Sequence, residues 1–176
     1  IVPEVNPEAI TKHKGIIANP NCSTIIMAMA LKPLYNYAKI KRVVVSTYQA
    51  VSGAGKEGID ELDNQVAAIV ANKPVEANIL PSASMPKHYQ IAFNVIPQID
   101  AFLEDGYTKE EMKMVHETNK IFDDYNMGIT ATTIRIPVYR SHSESINLEF
   151  DKEVSVEKAK ELLADFPGVI VQDNPK

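Results

Sequence analysis

The chain has 176 residues, 45% hydrophobic and 23% charged, with a formal net charge of −5 and one Cys. A domain of this size buries roughly 70% of its unfolded surface, and the normal apolar content excludes collagen-like, coiled-coil and disordered classes. The acidic balance argues against nucleic-acid or membrane partners, one Cys cannot form an internal disulfide, and no run approaches ~18 apolar residues. A soluble, cytoplasmic protein is expected. The sequence opens at Ile1 without Met and closes at Lys176, and both ends read as cuts through a longer chain.

Along the chain, Lys14 to Ala18 is a short apolar run halted by Asn19-Pro20-Asn21, which reads as a buried strand. Cys22 to Ala38 reads as a helix buried on most sides, with Asn21 as its N-cap; Pro33 is expected to kink it or end it early. Ile40 to Ala50 is the clearest strand, and Ser52-Gly53-Ala54-Gly55 follows as a turn. Lys56 to Ala71 carries apolar residues at helical spacing. Residues 72 to 90 form an excursion holding three Pro, after which Ile91 to Ile99 returns as a strand.

Thr108 to Asp123 is an amphipathic helix with Thr108 and Glu111 spaced as a capping box. Gly128 to Val138 and Glu144 to Phe150 are strands whose short link forbids a parallel crossover between them. Ser155 to Ala164 is a helix without a capping box, and Gly168 to Gln172 is a closing strand. The fold expected is α+β (α/β): one mixed, mostly antiparallel sheet with helices packed on one face, in a single domain over 1–176.

Cys22 leads the chemical candidates because it opens a helix after a sharp turn. Unpaired N–H groups and the dipole at a helix start favour a thiolate and can hold a developing oxyanion. A lone Cys is also commonly a small buried hydrophobe. Among the four His, His142 sits in Arg-Ser-His-Ser-Glu-Ser between two strands, where small polar neighbours can orient its ring. His116 reads as solvated on its helix; His13 and His88 read as exposed. No ligand pair has metal spacing, so no metal site is expected.

Arg135 lies within the apolar run Ile134-Arg-Ile-Pro-Val138 and must face solvent, an acid or an anionic ligand. Glu110, Glu111 and Lys113 share a helical turn and read first as an exposed face. Gln49 closes the best strand, where its side chain can reach a ligand or satisfy a loop. Ser52-Gly53-Ala54-Gly55 reads as a turn that could approach a phosphate or cofactor.

Taken together, Asn19-Pro-Asn-Cys22-Ser-Thr24, Ser46-Thr-Tyr-Gln49-Ala-Val-Ser-Gly-Ala-Gly55, Asn94-Val-Ile-Pro97, Glu110-Glu-Met-Lys113 with Glu117-Thr-Asn-Lys120, and Arg135-Ile-Pro-Val with Ser141-His142-Ser-Glu-Ser145 closely resemble aspartate-β-semialdehyde dehydrogenases. The resemblance covers the chain nearly end to end. It implies NADPH-dependent reductive dephosphorylation of L-aspartyl-4-phosphate, on the route to lysine (through diaminopimelate), threonine and methionine. Cys22 is then the nucleophile that forms an acyl-thioester, and His142 the acid/base that activates it. Arg135 takes the substrate carboxylate, Glu110 its ammonium and Lys113 the phosphate. Gln49 positions the substrate, and Ser52 and Gly53 line the nicotinamide side of NADP. No metal is implied.

The family's Gly-rich dinucleotide-binding turn has no counterpart here, nor has a segment after the last strand. The resemblance therefore implies a catalytic and dimerisation domain, with 1–20 as the lead-in from a nucleotide-binding domain, active only as part of a larger enzyme. It implies a homodimer or tetramer. Three other readings stand beside it: an N-acetyl-glutamyl-phosphate reductase-like enzyme, a Cys/His hydrolase, and a plain dimerisation module.

Overall fold

The computed structural model describes residues 1–174. Its elements are α1 (Cys22–Tyr37), β1 (Ile40–Gln49), α2 (Lys56–Val70), α3 (Lys109–Phe122), β2 (Gly128–Arg135), β3 (Ser143–Phe150) and α4 (Val156–Ala164), with 3-10 turns over Pro7–Lys12 and Val51–Ala54. The strands form a three-stranded sheet in the order β2-β1-β3. Lys41 lies beside Gly128, and the Ile136 N–H donates to Gln49 O, so β1 and β2 run parallel. The Asp151 N–H donates to Lys39 O, which sets β3 antiparallel to β1. The sheet is mixed and the fold α+β, as expected. β2 and β3 do run oppositely, but they are not neighbours, because β1 lies between them. A parallel pair needs a long crossover, which residues 50–127 supply.

Burial alternates along β1 through Val43, Val45, Thr47 and Gln49, and along β2 through Ala131, Thr133 and Arg135. That period of two places Gln49 and Arg135 in the buried register of their strands.

The chain divides into two compact units, one of Ile1–Val44, Lys113–Thr130 and Ile146–Lys176, the other of Val45–Met112 and Ala131–Ser145. In the first unit, α1 buries Met27, Ala28, Leu31 and Leu34, and packs with α4. The Tyr35 ring meets Phe122 of α3 edge-on at 5.2 Å, and the Tyr35 hydroxyl donates to Asp124 at 2.8 Å. Burial and that acceptor push the Tyr35 hydroxyl up to about 12. In the second unit, Val51, Leu62, Leu80, Ile91, Ala92 and Ile96 form the core, flanked by Ala54, Ile59, Val66 and Ile69.

Local signals predicted the helix starts well. Asn21 Oδ1 accepts from the Thr24 N–H, and Ser155 Oγ accepts from the Lys158 N–H. Thr108 and Glu111 bond reciprocally, N–H to Oε2 at 2.7 Å and Oγ1 from N–H at 3.2 Å. Gly55 takes φ +82° at the start of α2, a conformation other residues resist.

Four expectations are corrected. Residues 14–18 form no strand: Ile16 is 88% exposed, and the run lines an open cleft of about 500 Å³ with Asn19, Pro20 and Glu117. A strand needs a neighbour to bond with, and these residues pair with none among the described ones. Residues 91–99 form only the single bridge Ile96 to Arg135, because Phe93 turns the chain at φ +57°. Residues 168–172 also form no strand, and Ile170 is 92% exposed. Finally, α1 does not end at Pro33 but runs to Tyr37, its last turn closed by the Ala38 N–H donating to Leu34 O.

Candidate active site

The second unit gathers six of the eight expected site residues: Gln49, Ser52, Gly53, Glu110, Arg135 and His142. The link between β2 and β3 passes over the end of β1, where the Val51 and Ser52 N–H groups donate to Val138 O and Tyr139 O. This delivers His142 to the strand end. The Ala50 N–H donates to His142 Nδ1 at 3.0 Å.

Arg135 is 2% exposed, which overturns the solvent-facing reading of its position. Its Nε and Nη2 donate to Pro81 O at 3.2 and 3.0 Å, and Nη1 to Ala50 O at 2.8 Å. Pro81 is itself held in place. Glu61 of α2 accepts the N–H groups of Asn78, Ile79 and Leu80, and Gln65 accepts those of Ile91 and Ala92. These two side chains pin the 72–92 excursion onto α2, so that Pro81 O meets a guanidinium. A buried charge requires such partners.

Glu110 and Glu111 are 6% and 9% exposed, so the expected exposed acidic face is also corrected. Their positions at the start of α3 suit the helix dipole. Glu111 is occupied by its cap and by the Thr133 N–H on β2, at 3.0 Å. Gln49 Nε2 donates to Glu110 Oε1 at 3.4 Å and to Thr47 Oγ1 at 3.3 Å. Burial holds His142 below the ordinary imidazole range; the Arg135 charge pushes it further down and the Glu110 charge partly back.

Gly53 is exposed, and a Cβ built on it would lie 2.6 Å from Arg135 Nη1 and 3.4 Å from His142 Nε2. The guanidinium and the imidazole edge thus close directly onto Gly53, an approach that only glycine permits without a shift. Gly53→Ala is expected to lower stability by about 1–3 kcal/mol, since the guanidinium is tied to two carbonyls and cannot swing clear. A urea melt unchanged from the parent would contradict that contact.

Cys22 and Lys113 belong to the first unit. Cys22 is exposed as the first residue of α1, and the turn before it is clamped by the Asn21 N–H donating to Glu117 Oε2 at 2.7 Å. Lys113 is exposed on α3. His116 is exposed, as expected. His13 is exposed as well, with Nδ1 accepting from the Gly15 N–H. His88 is half-buried, with Nε2 enclosed and unbonded, against expectation.

Four contributors escaped the sequence reading. Ala50 and Pro81 act through backbone atoms and carry no chemical signal in their side chains. Glu61 lies 17 to 19 residues from the amides it binds. Glu117 had only its place in a motif.

No helix among the described residues is long and apolar enough to cross a membrane. A family model described as the semialdehyde dehydrogenase dimerisation domain matches residues 31–176. The aspartate-semialdehyde dehydrogenase of Aquifex aeolicus is 58% identical over 178 residues, covering 100% of this chain and 51% of that protein. The Bacillus subtilis protein of the same name is 51% identical, covering 99% and 51%. A crystal structure of aspartate semialdehyde dehydrogenase II from Vibrio cholerae, complexed with ASA, superposes with TM-score 0.88 at 48% identity, covering 96% of this chain and 48% of that one. The chain thus spans about half the length of the relatives it matches. It belongs to the semialdehyde dehydrogenase dimerisation-domain family.

Proposed function

We propose that this chain carries the nucleophile and the substrate-binding side chains of an aspartate-semialdehyde dehydrogenase. That enzyme would convert L-aspartyl-4-phosphate to L-aspartate 4-semialdehyde and phosphate, on the lysine, threonine and methionine route. The observation that carries the reading is the grouping of four side chains: Arg135 and His142 close together onto Gly53, Gln49 donates to Glu110, and the Arg135 and Glu110 charges both act on His142. It holds one carboxylate, one guanidinium and one imidazole, and relatives 51–58% identical bear that enzyme's name.

Cys22 Sγ forms a bond to the acyl carbon while the bond from that carbon to the phosphate oxygen breaks. Phosphate leaves with the electron pair, and a thioester remains. Arg135 would meet the substrate carboxylate, Glu110 its ammonium, Gln49 its polar middle and Lys113 the leaving phosphate. These are charges complementary to each end of the substrate. His142 handles the proton at the reacting centre. Gly53 is exposed, and, in keeping with the family resemblance, Ser52 and Gly53 would line the nicotinamide of NADPH, which would supply the hydride that reduces the thioester. Full turnover would require more chain than these 176 residues. In keeping with its family description the protein would work as a homodimer.

The test of substrate class is phosphate release from two acyl phosphates. Aspartyl phosphate should react at least about 100-fold faster than N-acetyl-glutamyl phosphate, whose blocked amine leaves Glu110 without a cation. Equal rates, or preference for the acetylated compound, would favour the other reductase reading.

A further inference from the structure

We infer that Glu117 is a positioning residue for Cys22: its carboxylate anchors the turn before the thiol to α3, the helix that carries Lys113. Asn21 is the N-cap of α1, with Oδ1 accepting the Thr24 N–H at 3.1 Å and its carbonyl accepting the Ile25 N–H at 3.0 Å. In a capping box, Thr24's position would hold Glu or Gln, reaching back to the N–H of the cap. Thr24 is too short for that, and its hydroxyl donates to Asn21 Oδ1 at 3.5 Å instead. The Asn21 N–H finds its acceptor in Glu117 Oε2, at 2.7 Å and 96 residues away. Bonds of this kind to a carboxylate are shorter and stronger than neutral ones.

The anchor reaches Cys22 through one peptide unit. With its N–H, side chain and carbonyl all held, Asn21 has little freedom to swing the residue that follows it, and that residue is Cys22. Packing supports the bond from both elements: Ser23 and Thr24 after the thiol, and Met114 and Thr118 on α3, are fully buried. The far end of α1 is held from the same side. There the Tyr35 ring meets Phe122 at the end of α3, and the Tyr35 hydroxyl donates to Asp124 just beyond it. α1 is thus tied at its cap and in its last turn, and it cannot slide or roll without breaking a bond to a carboxylate.

Lys113 stands four residues before Glu117 on α3, and residues four apart share a helix face. The helix that would hold the leaving phosphate is therefore the one that aims the nucleophile. Attack on an acyl phosphate needs the sulfur placed over the acyl carbon while the phosphate is held, and a misplacement of about 1 Å can cost on the order of 100-fold. Glu117 acts through Asn21 and takes no part in bond making. The catalytic consequence rests on the function proposed above; the anchor is a property of the chain and does not.

The experiment compares the parent chain with Glu117→Ala and Glu117→Gln in two arms. In the first, amide hydrogen exchange is followed residue by residue by NMR. Asn21 should be protected in the parent and lose about 10- to 100-fold of that protection in Glu117→Ala, the worth of one hydrogen bond to a charged group. Leu31, inside α1, should change far less. Glu117→Gln keeps an oxygen for the Asn21 N–H and should retain most of the protection. Equal Asn21 protection in the parent and Glu117→Ala would overturn the inference. So would an equal loss at Leu31, the mark of a merely looser fold.

In the second arm Cys22 meets two electrophiles. Iodoacetamide can approach an exposed thiol from any side, and it should alkylate the parent and Glu117→Ala at rates within about threefold of each other. L-Aspartyl-4-phosphate should acylate Glu117→Ala about 100-fold more slowly than the parent, with Glu117→Gln recovering at least about tenfold. Equal slowing with both reagents, or no slowing with the acyl phosphate, would overturn the inference alone. A parent that fails to acylate, although Asn21 is released in Glu117→Ala, would defeat only the proposed function.

Discussion

Replacing Arg135 with Met should lower the stability of the chain by roughly 3–5 kcal/mol, the usual cost of breaking a buried charged network. The side chain is 2% exposed and donates to both Ala50 O and Pro81 O. Without it, two carbonyls lose a charged donor at once, each a bond worth about 1.5–3 kcal/mol. For a chain of this length that is a fall of roughly 10 °C in the melting midpoint. Arg135→Lys should recover little, because one ammonium cannot reproduce a planar fork that spans Nε, Nη1 and Nη2. A melt of Arg135→Met within about 2 °C of the parent would show that the guanidinium is not a structural hub.

The second large effect is a pH dependence written into Glu144. Both of its carboxyl oxygens are enclosed without a hydrogen-bond partner, and burial pushes its pKa from 4.5 up to about 8. In the unfolded chain the group ionises near 4.5; in the folded chain it stays protonated until about 8. Between those values the native state binds the extra proton, so stability falls as pH rises. The contribution is complete below the unfolded pKa and is lost as pH passes the folded one. Because solvent reaches part of the side chain, the effect is on the order of 2 kcal/mol rather than the full linkage value. Glu144→Gln should therefore match the parent near ~pH 5 and exceed it near ~pH 8.5 in urea midpoint. Parallel curves for the two proteins would place Glu144 in solvent.

Much of this was legible wherever the signal is local. Asn21, Thr108 with Glu111, and Ser155 announce helix starts through bonds that reach only three residues, and each forms as its spacing implies. The β1 strand was equally plain, since Val43, Val45, Thr47 and Gln49 obey one alternation. Arg135 shows where such reading stops. Its pattern favoured a solvated face, and nothing in Ile134-Arg-Ile said that it would be buried or that Pro81, 54 residues away, would accept from it.

Glu61 and Gln65 looked like ordinary polar positions of an amphipathic helix, yet both are buried in service of backbone amides on the excursion. The runs at 14–18 and 168–172 misled for the opposite reason. Apolar composition states a wish for burial; a strand also needs a partner with open N–H and C=O groups. The candidate chemical residues are assembled as a set only through the family resemblance, because Cys22 and His142 individually carry little signal.

The most direct test of the catalytic reading is the acylation half-reaction, which needs no nicotinamide. The chain is incubated with L-aspartyl-4-phosphate, quenched in acid, digested and weighed by mass spectrometry. The expected result is one aspartyl group on the peptide that holds Cys22, removed again by hydroxylamine, absent from Cys22→Ser and formed at least about 100-fold more slowly in His142→Ala. An unmodified Cys22 peptide in the parent chain, or an adduct that persists in Cys22→Ser, would contradict it.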